Sequence, residues 1–114
     1  MMAKRSKITN KQLQKIFAAY NNRFFNLKFD KDWRVRFEKI DPGTNAEVEY
    51  ESKIIRLQPY FKVSMRVSCI LLLHEMAHGS IYIDGFRNFE SDHSFQFSLE
   101  INRLWKAGCY DDLL

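Results

Sequence analysis

Two imidazoles and a carboxylate fall within five consecutive residues of this chain, His74-Glu75-Met76-Ala77-His78. Side chains four apart on an α-helix lie on one face. If the stretch is helical, His74 and His78 converge on one point, as two imidazoles do when they ligate zinc. Glu75, one step round, is then placed as a general base toward water activated at the metal. The chemistry implied is metal-assisted hydrolysis, in the first instance of a peptide bond.

Three fixed residues in five also arise by chance, and a helix with two hydrogen-bonded histidines is the plain alternative. The context argues against it. Cys69 to Leu73 is apolar all round, as in a central helix. Setting a glutamate and two histidines into that helix without a task costs desolvation energy. A catalytic zinc takes three protein ligands and keeps one position for water. After His78 the chain offers Asp84, Glu90, Asp92 and His93. Asp84 stands where a sharply turned chain would put a third ligand. However, that turn needs a glycine at the position of Ile81, which is β-branched and unsuited to positive φ. Asp84 therefore reads as a helix-end residue, while Glu90 and Asp92 read as loop or N-cap acids. His93 is the best candidate, with Phe97 one turn further on the same face.

The elements that must position these residues are legible from periodicity. Thr9-Asn10-Lys11-Gln12 matches a capping box. Leu13, Ile16, Phe17, Tyr20 and Phe24 then follow at helical spacing, predicting a helix to about Asn26. From Trp33 the period is two: Trp33, Val35 and Phe37 alternate with Arg34, Arg36 and Glu38, a half-buried strand. Asp41 to Asn45 is a turn by composition. Ala46, Val48 and Tyr50 then alternate with Glu47, Glu49 and Glu51, and the acidic row is expected to face Arg34 and Arg36 across an antiparallel pair. Lys53 to Leu57 forms a third strand and completes an antiparallel meander. Were that strand a sheet edge, Ile54, Ile55 and Arg56 would bind an extended substrate by strand addition. A helix begins between Pro59 and Ser64 and ends at Asp84-Gly85. Val63, Val67, Ile70, His74, Ala77, His78 and Ile81 form its expected core-facing stripe. A last helix is predicted from about Asp92 to Ala107, with Phe97, Ile101, Leu104 and Trp105 buried and Gly108 at its C-terminal cap. Tyr60, Tyr82 and Arg66 are candidate oxyanion donors.

A chain of 114 residues is one domain, and 46% hydrophobic with 15% aromatic residues marks a folded chain rather than a disordered one. Residues 1–8 are expected to be a basic flexible N-terminus and residues 9–114 a single domain. Cys69 and Cys109 form no C-x-x-C pair, which favours a reducing compartment over a disulfide framework. The polar, basic N-terminus has no apolar core of a signal peptide, and the apolar run before the motif is too short to span a bilayer. The expected location is intracellular and cytoplasmic, with no membrane partner. The net charge of +4 is compatible with nucleic acid as a partner. Lys4, Arg5, Lys7, Lys11 and Lys15 would make that contact, at a nucleoid or nucleus, unless they are simply solvated.

Taken together, His74-Glu75-Met76-x-His78, His93-Ser94-x-x-Phe97 and Asn102-Arg103-Leu104 resemble the SprT-like metalloprotease domain, the core of Spartan-type proteases. The Asn/Phe-rich first helix, Trp33 at a strand start and Ile54-Ile55-Arg56-Leu57 before the motif helix add to the likeness, which runs from about Leu13 to Trp105. The resemblance implies an α+β, zincin-like domain of the minigluzincin type. It also implies zinc held by His74, His78 and His93, Glu75 as catalytic base, and protein or peptide substrates. Ser94 departs from the glycine usual after the third histidine. The cysteine-rich or DNA-binding extensions of many members have no counterpart in this sequence, so a role on DNA-bound proteins carries over weakly. The competing expectation is a non-catalytic zinc-containing binding or scaffold module of the same fold.

Overall fold

The structure, a computed structural model, describes residues 7–86 and 94–114. Helix α1 spans Asn10–Phe24 and strands β1, β2 and β3 span Arg34–Phe37, Ala46–Glu49 and Ile54–Leu57. A 3-10 turn over Pro59–Val63 leads into α2, Met65–Ile83, and α3 covers Phe95–Lys106. The architecture is α+β, and no described helix is long and apolar enough to cross a membrane.

The predicted capping box starts α1. The Thr9 backbone N–H donates to Gln12 Oε1 at 2.8 Å and the Gln12 N–H to Thr9 Oγ1 at 3.1 Å. The helix stops at Phe24, two residues short of the expected end, because Asn26 and Leu27 turn to φ 51° and 59°. Asn21 holds that turn, donating from Nδ2 to the Phe29 carbonyl at 2.8 Å and accepting from its N–H at 3.1 Å. Phe29 thereby stands edge-on to Phe17, Phe25 and Trp33, with centroids 5.0 to 5.4 Å apart. α2 lies hard against this cluster: a Cβ on Gly79 would fall 2.8 Å from Phe29 Cε1.

The sheet is mixed, with order β1-β3-β2, and not the antiparallel meander expected. β3 pairs parallel with β1 and antiparallel with β2. The connection over residues 38–45 is long enough to step past a vacant strand position, which β3 then fills. Buried Gln58 fastens this connection by donating from Nε2 to the carbonyls of Ile40, Asp41 and Thr44 at 2.9 to 3.0 Å. Charge favours the same order. Arg56, central on β3, reaches Glu38 on one side and Glu47 and Glu49 on the other, the last two at 3.1 and 2.6 Å. The expected pairing of the acidic row with Arg34 and Arg36 does not form, because β1 and β2 are not neighbours.

The central position of β3 also removes the expected strand-addition site at Ile54, Ile55 and Arg56. Both of its edges are used, and Ile55 is fully buried. The outer edge of β1 is covered by α1, whose Asn10 and Gln14 side chains accept from the N–H groups of Phe37 and Val35 at 2.8 and 2.9 Å. Among the described residues the outer edge of β2 carries no backbone hydrogen bond.

The core face of α2 also differs from the expected stripe. Leu72, Leu73, Met76 and Ala77 are fully buried, whereas Val63 is 65% exposed in the preceding turn. In a helix apolar all round, spacing does not single out one face. Ser64 caps α2 by accepting from the Val67 N–H at 3.2 Å. In α3 the buried residues are Phe97, Glu100 and Leu104, while Trp105, expected inside, is 58% exposed. Ser94 is the N-cap of α3, accepting from the Phe97 N–H at 3.2 Å, so the helix starts later than the expected Asp92. Gly108 follows the helix at φ 86°, the left-handed turn expected of it.

Candidate metal centre

Ligand-capable atoms of His74, Glu75 and His78 all lie within 4.8 Å of one another. α2 achieves this through the four-residue step anticipated from sequence. Glu75 and His78 are buried at 7% and 8% exposure and His74 is half-buried, so the cluster is recessed rather than displayed on a surface. Phe97 of α3 packs on both imidazoles. Its ring stacks on His78 at 4.2 Å between centroids and meets His74 at 5.0 Å and 61°. The two imidazoles are 5.0 Å apart at 72°. Close packing of this kind limits the room in which either imidazole can turn.

The cluster opens into a cavity of about 370 Å³ whose other wall is β2 and its flanks: Thr44, Ala46, Glu47, Val48 and Tyr50. The cleft continues both ways along β2. Toward the start of α2 a hollow of about 290 Å³ is lined by Asn45, Ala46, Ile70 and Leu71 together with His74 and Glu75. Toward the end of α2 another of about 310 Å³ is lined by Val48, Glu49, Tyr50, Glu51 and Tyr82. The result is a groove between a helix and an edge strand with the His-Glu-His cluster midway.

Behind the cluster, a second polar group ties α2 to α3. Ser80, fully buried, donates its hydroxyl to Glu100. Arg103 donates to the same carboxylate from Nε at 2.6 Å and Nη2 at 3.1 Å, and to the Phe24 carbonyl at 2.8 Å. Lys28 Nζ bridges Ser80 Oγ and Asp84, each at 2.9 Å. Burial pushes the Glu100 carboxyl up, but the hydrogen bonds from Arg103 and Ser80 outweigh it and hold the group below its ordinary value. Cysteine chemistry has no comparable support. Burial pushes the Cys109 thiol up to about 11, which keeps it protonated at neutral pH, and Cys69 is likewise a buried free thiol.

Of the sequence-predicted site residues, His74, Glu75 and His78 come together, while His93, Glu90 and Asp92 lie outside the described residues. Asp84 is the C-cap of α2 and pairs with Lys28, as a helix-end residue should, and it is not part of the cluster. Among the candidate oxyanion donors, Tyr60 donates to Asn45 at 3.0 Å and is 59% exposed, and Arg66 is exposed on the first turn of α2. Neither lines the cavity. Tyr82 stacks on Tyr50 at 4.4 Å and 18°. Sequence reasoning missed Tyr50 as a site residue, although its place in the Ala46, Val48, Tyr50 alternation already put it on the face of β2 that meets α2. Phe97, expected in the core and in the motif after His93, packs directly on the imidazoles, and Ser80 and Glu100 carry no signal in the sequence.

No protein-family model matches the chain, and no curated protein matches its sequence. Among solved structures, the crystal structure of the metallopeptidase zymogen of Methanocaldococcus jannaschii, jannalysin, is similar at 18% identity and a TM-score of 0.55. The match covers 90% of this chain and 81% of that one. At this identity the likeness is one of fold: the chain is built as that metallopeptidase zymogen is built, and it carries a His-Glu-His cluster in an open cleft.

Proposed function

We propose that this chain is a zinc-dependent peptidase of the SprT-like kind, with His74, His78 and His93 as metal ligands and Glu75 as general base. One observation carries the reading: two imidazoles and a carboxylate meet within 4.8 Å at the floor of a groove beneath an edge strand. The fold shared with a metallopeptidase zymogen supports it. The donor set fits zinc, which accepts imidazole nitrogen and carboxylate oxygen. His93 immediately precedes Ser94 in the chain, and Ser94 opens α3 one turn before Phe97, the residue packed on both imidazoles. This neighbourhood supports its assignment as third ligand.

When bound, the ion supplies Lewis acidity toward the scissile carbonyl and makes water a nucleophile near neutral pH. Glu75 accepts the proton of the attacking water and returns it to the leaving amine. An extended substrate backbone pairs with the outer edge of β2, which carries no backbone hydrogen bond among the described residues, and so lies across the cluster. Protein substrates associated with nucleic acid belong to the same reading, held near the protease by the basic N-terminal stretch. Steep salt dependence of DNA binding, lost on deleting residues 1–7, is the expected result for that contact.

Glu75→Gln tests the catalytic reading. The variant should bind zinc as the parent does and fail to cleave an unfolded protein such as reduced casein. Retained cleavage by zinc-loaded Glu75→Gln contradicts the general-base role.

A further inference from the structure

The groove does not end at the histidines. Beyond them, the hollow lined by Val48, Glu49, Tyr50, Glu51 and Tyr82 shares Val48 and Tyr50 with the cavity of the cluster, so the two are continuous. Its wall is the Tyr50–Tyr82 pair, which stacks across from the end of β2 to the last turn of α2. Both phenols are half-buried. An amphipathic wall of this kind suits a side chain with an apolar stem and a cationic tip.

The charges around it point the same way. Glu49 is engaged by Ser52 and by Arg56 at 2.6 Å; Arg56 also serves Glu47 and, with Arg36, Glu38, so two cations face the four acids Glu38, Glu47, Glu49 and Glu51. Glu51, an exposed residue lining the hollow, has no ion pair among the described residues. This rim is therefore acidic on a chain whose net charge is +4. At the other end of the groove, Ile70, Leu71 and Ala46 offer no such charge.

We infer that the Tyr50–Tyr82 hollow is a specificity subsite for an arginine or lysine side chain of an extended peptide, with the stem lying along the wall of the stacked Tyr50–Tyr82 pair and Glu51 taking the charged tip. The inference builds on the reading of the cleft as a peptide groove and names which residue that groove selects. It makes the groove asymmetric, with a basic residue bound on one side of the cluster and an apolar one on the other.

A binding measurement tests this without depending on cleavage. Fluorescein-labelled ten-residue alanine-serine peptides carrying a single arginine, and their norleucine twins, are titrated with the full chain bearing Glu75→Gln and read by fluorescence anisotropy. The arginine peptide should bind about tenfold more tightly than its twin, as a cation over an aromatic ring beside a carboxylate would give. Glu51→Gln, at an exposed position where the fold is not at risk, should shrink that ratio at least threefold, and Tyr50→Ala should do the same. Equal affinity for the two peptides overturns the subsite, as does a ratio that Glu51→Gln leaves intact. Cleavage of the same peptides by the unsubstituted chain is scored separately. Selective binding without cleavage would keep the subsite and refute the peptidase, whereas cleavage without selectivity would do the reverse.

Discussion

Two glutamates, Glu75 and Glu100, are buried to nearly the same degree, at 7% and 9% exposure, in different places: one lines the cavity beside two imidazoles and the other lies between α2 and α3. Glu100 is closed in. Arg103 and Ser80 donate to its carboxylate, and Lys28 and Asp84 complete a chain of contacts joining α1, α2 and α3. Glu75 faces the groove, beside two imidazoles against which Phe97 packs. α2 is common to both: His78 belongs to the open cluster and Ser80, two residues on, to the closed one. The difference teaches how to read buried acids. A carboxylate held by an arginine and a serine from two helices ties a fold together, and one that shares a cleft with two imidazoles belongs to a set of metal-ligating atoms.

Substitutions at the two glutamates should therefore separate cleanly. The largest effect is expected at Glu75. Changing it to Gln should lower kcat by about 10²- to 10⁴-fold, the usual contribution of a general base, with little change in the urea midpoint. The reverse pattern is expected around Glu100. Arg103→Ala leaves the buried carboxylate short of donors and should cost about 1–3 kcal/mol of stability, read from urea unfolding. The 46% exposure of the Arg103 side chain places the loss toward the low end.

Acid sharpens the contrast. The folded Glu100 carboxyl sits below its ordinary value of 4.5, so on acidification the unfolded chain takes up this proton first. The stability it contributes is complete above that value and is lost as pH falls through the lowered folded value. Glu100→Gln should flatten this acid limb of the unfolding curve, and an unchanged limb would assign the acid sensitivity to other carboxylates. Smaller effects are expected where backbone and packing position the cluster. Gly79→Ala brings a methyl group against Phe29 and should destabilise by about 1 kcal/mol net, the overpacking being offset in part by the better helix propensity of alanine. Ser94→Ala removes the cap of α3 and should cost about 1 kcal/mol or less, with zinc affinity falling if the start of that helix carries a ligand.

What was legible in the sequence follows from the range of the forces involved. The capping box at Thr9, the convergence of His74 and His78 and the left-handed turn at Gly108 each depend on residues within a turn or two, and each stands as read. The sheet order did not follow, because Arg56 draws carboxylates from both neighbouring strands and nothing within β3 declares that it is central. Trp105, expected inside, is exposed while Glu100 is buried, for a similar reason. Glu100 is buried because Arg103 and Ser80 meet it there, and Ser80 is twenty residues away in sequence. Ser94, set down as a departure from glycine, proved to be the cap that starts α3. Tyr50 was read as one more residue of an alternating strand, and only the packing of β2 against α2 turns it toward the cluster.

Zinc content tests the proposed centre most directly. The purified chain, dialysed against trace zinc and measured by inductively coupled plasma mass spectrometry, should hold one ion per molecule, as should Glu75→Gln. His74→Ala, His78→Ala and His93→Ala should each lose most of it while circular dichroism reports an intact helical fold. Full zinc stoichiometry in all three histidine variants would contradict the centre and leave the cluster as a packed feature of the domain.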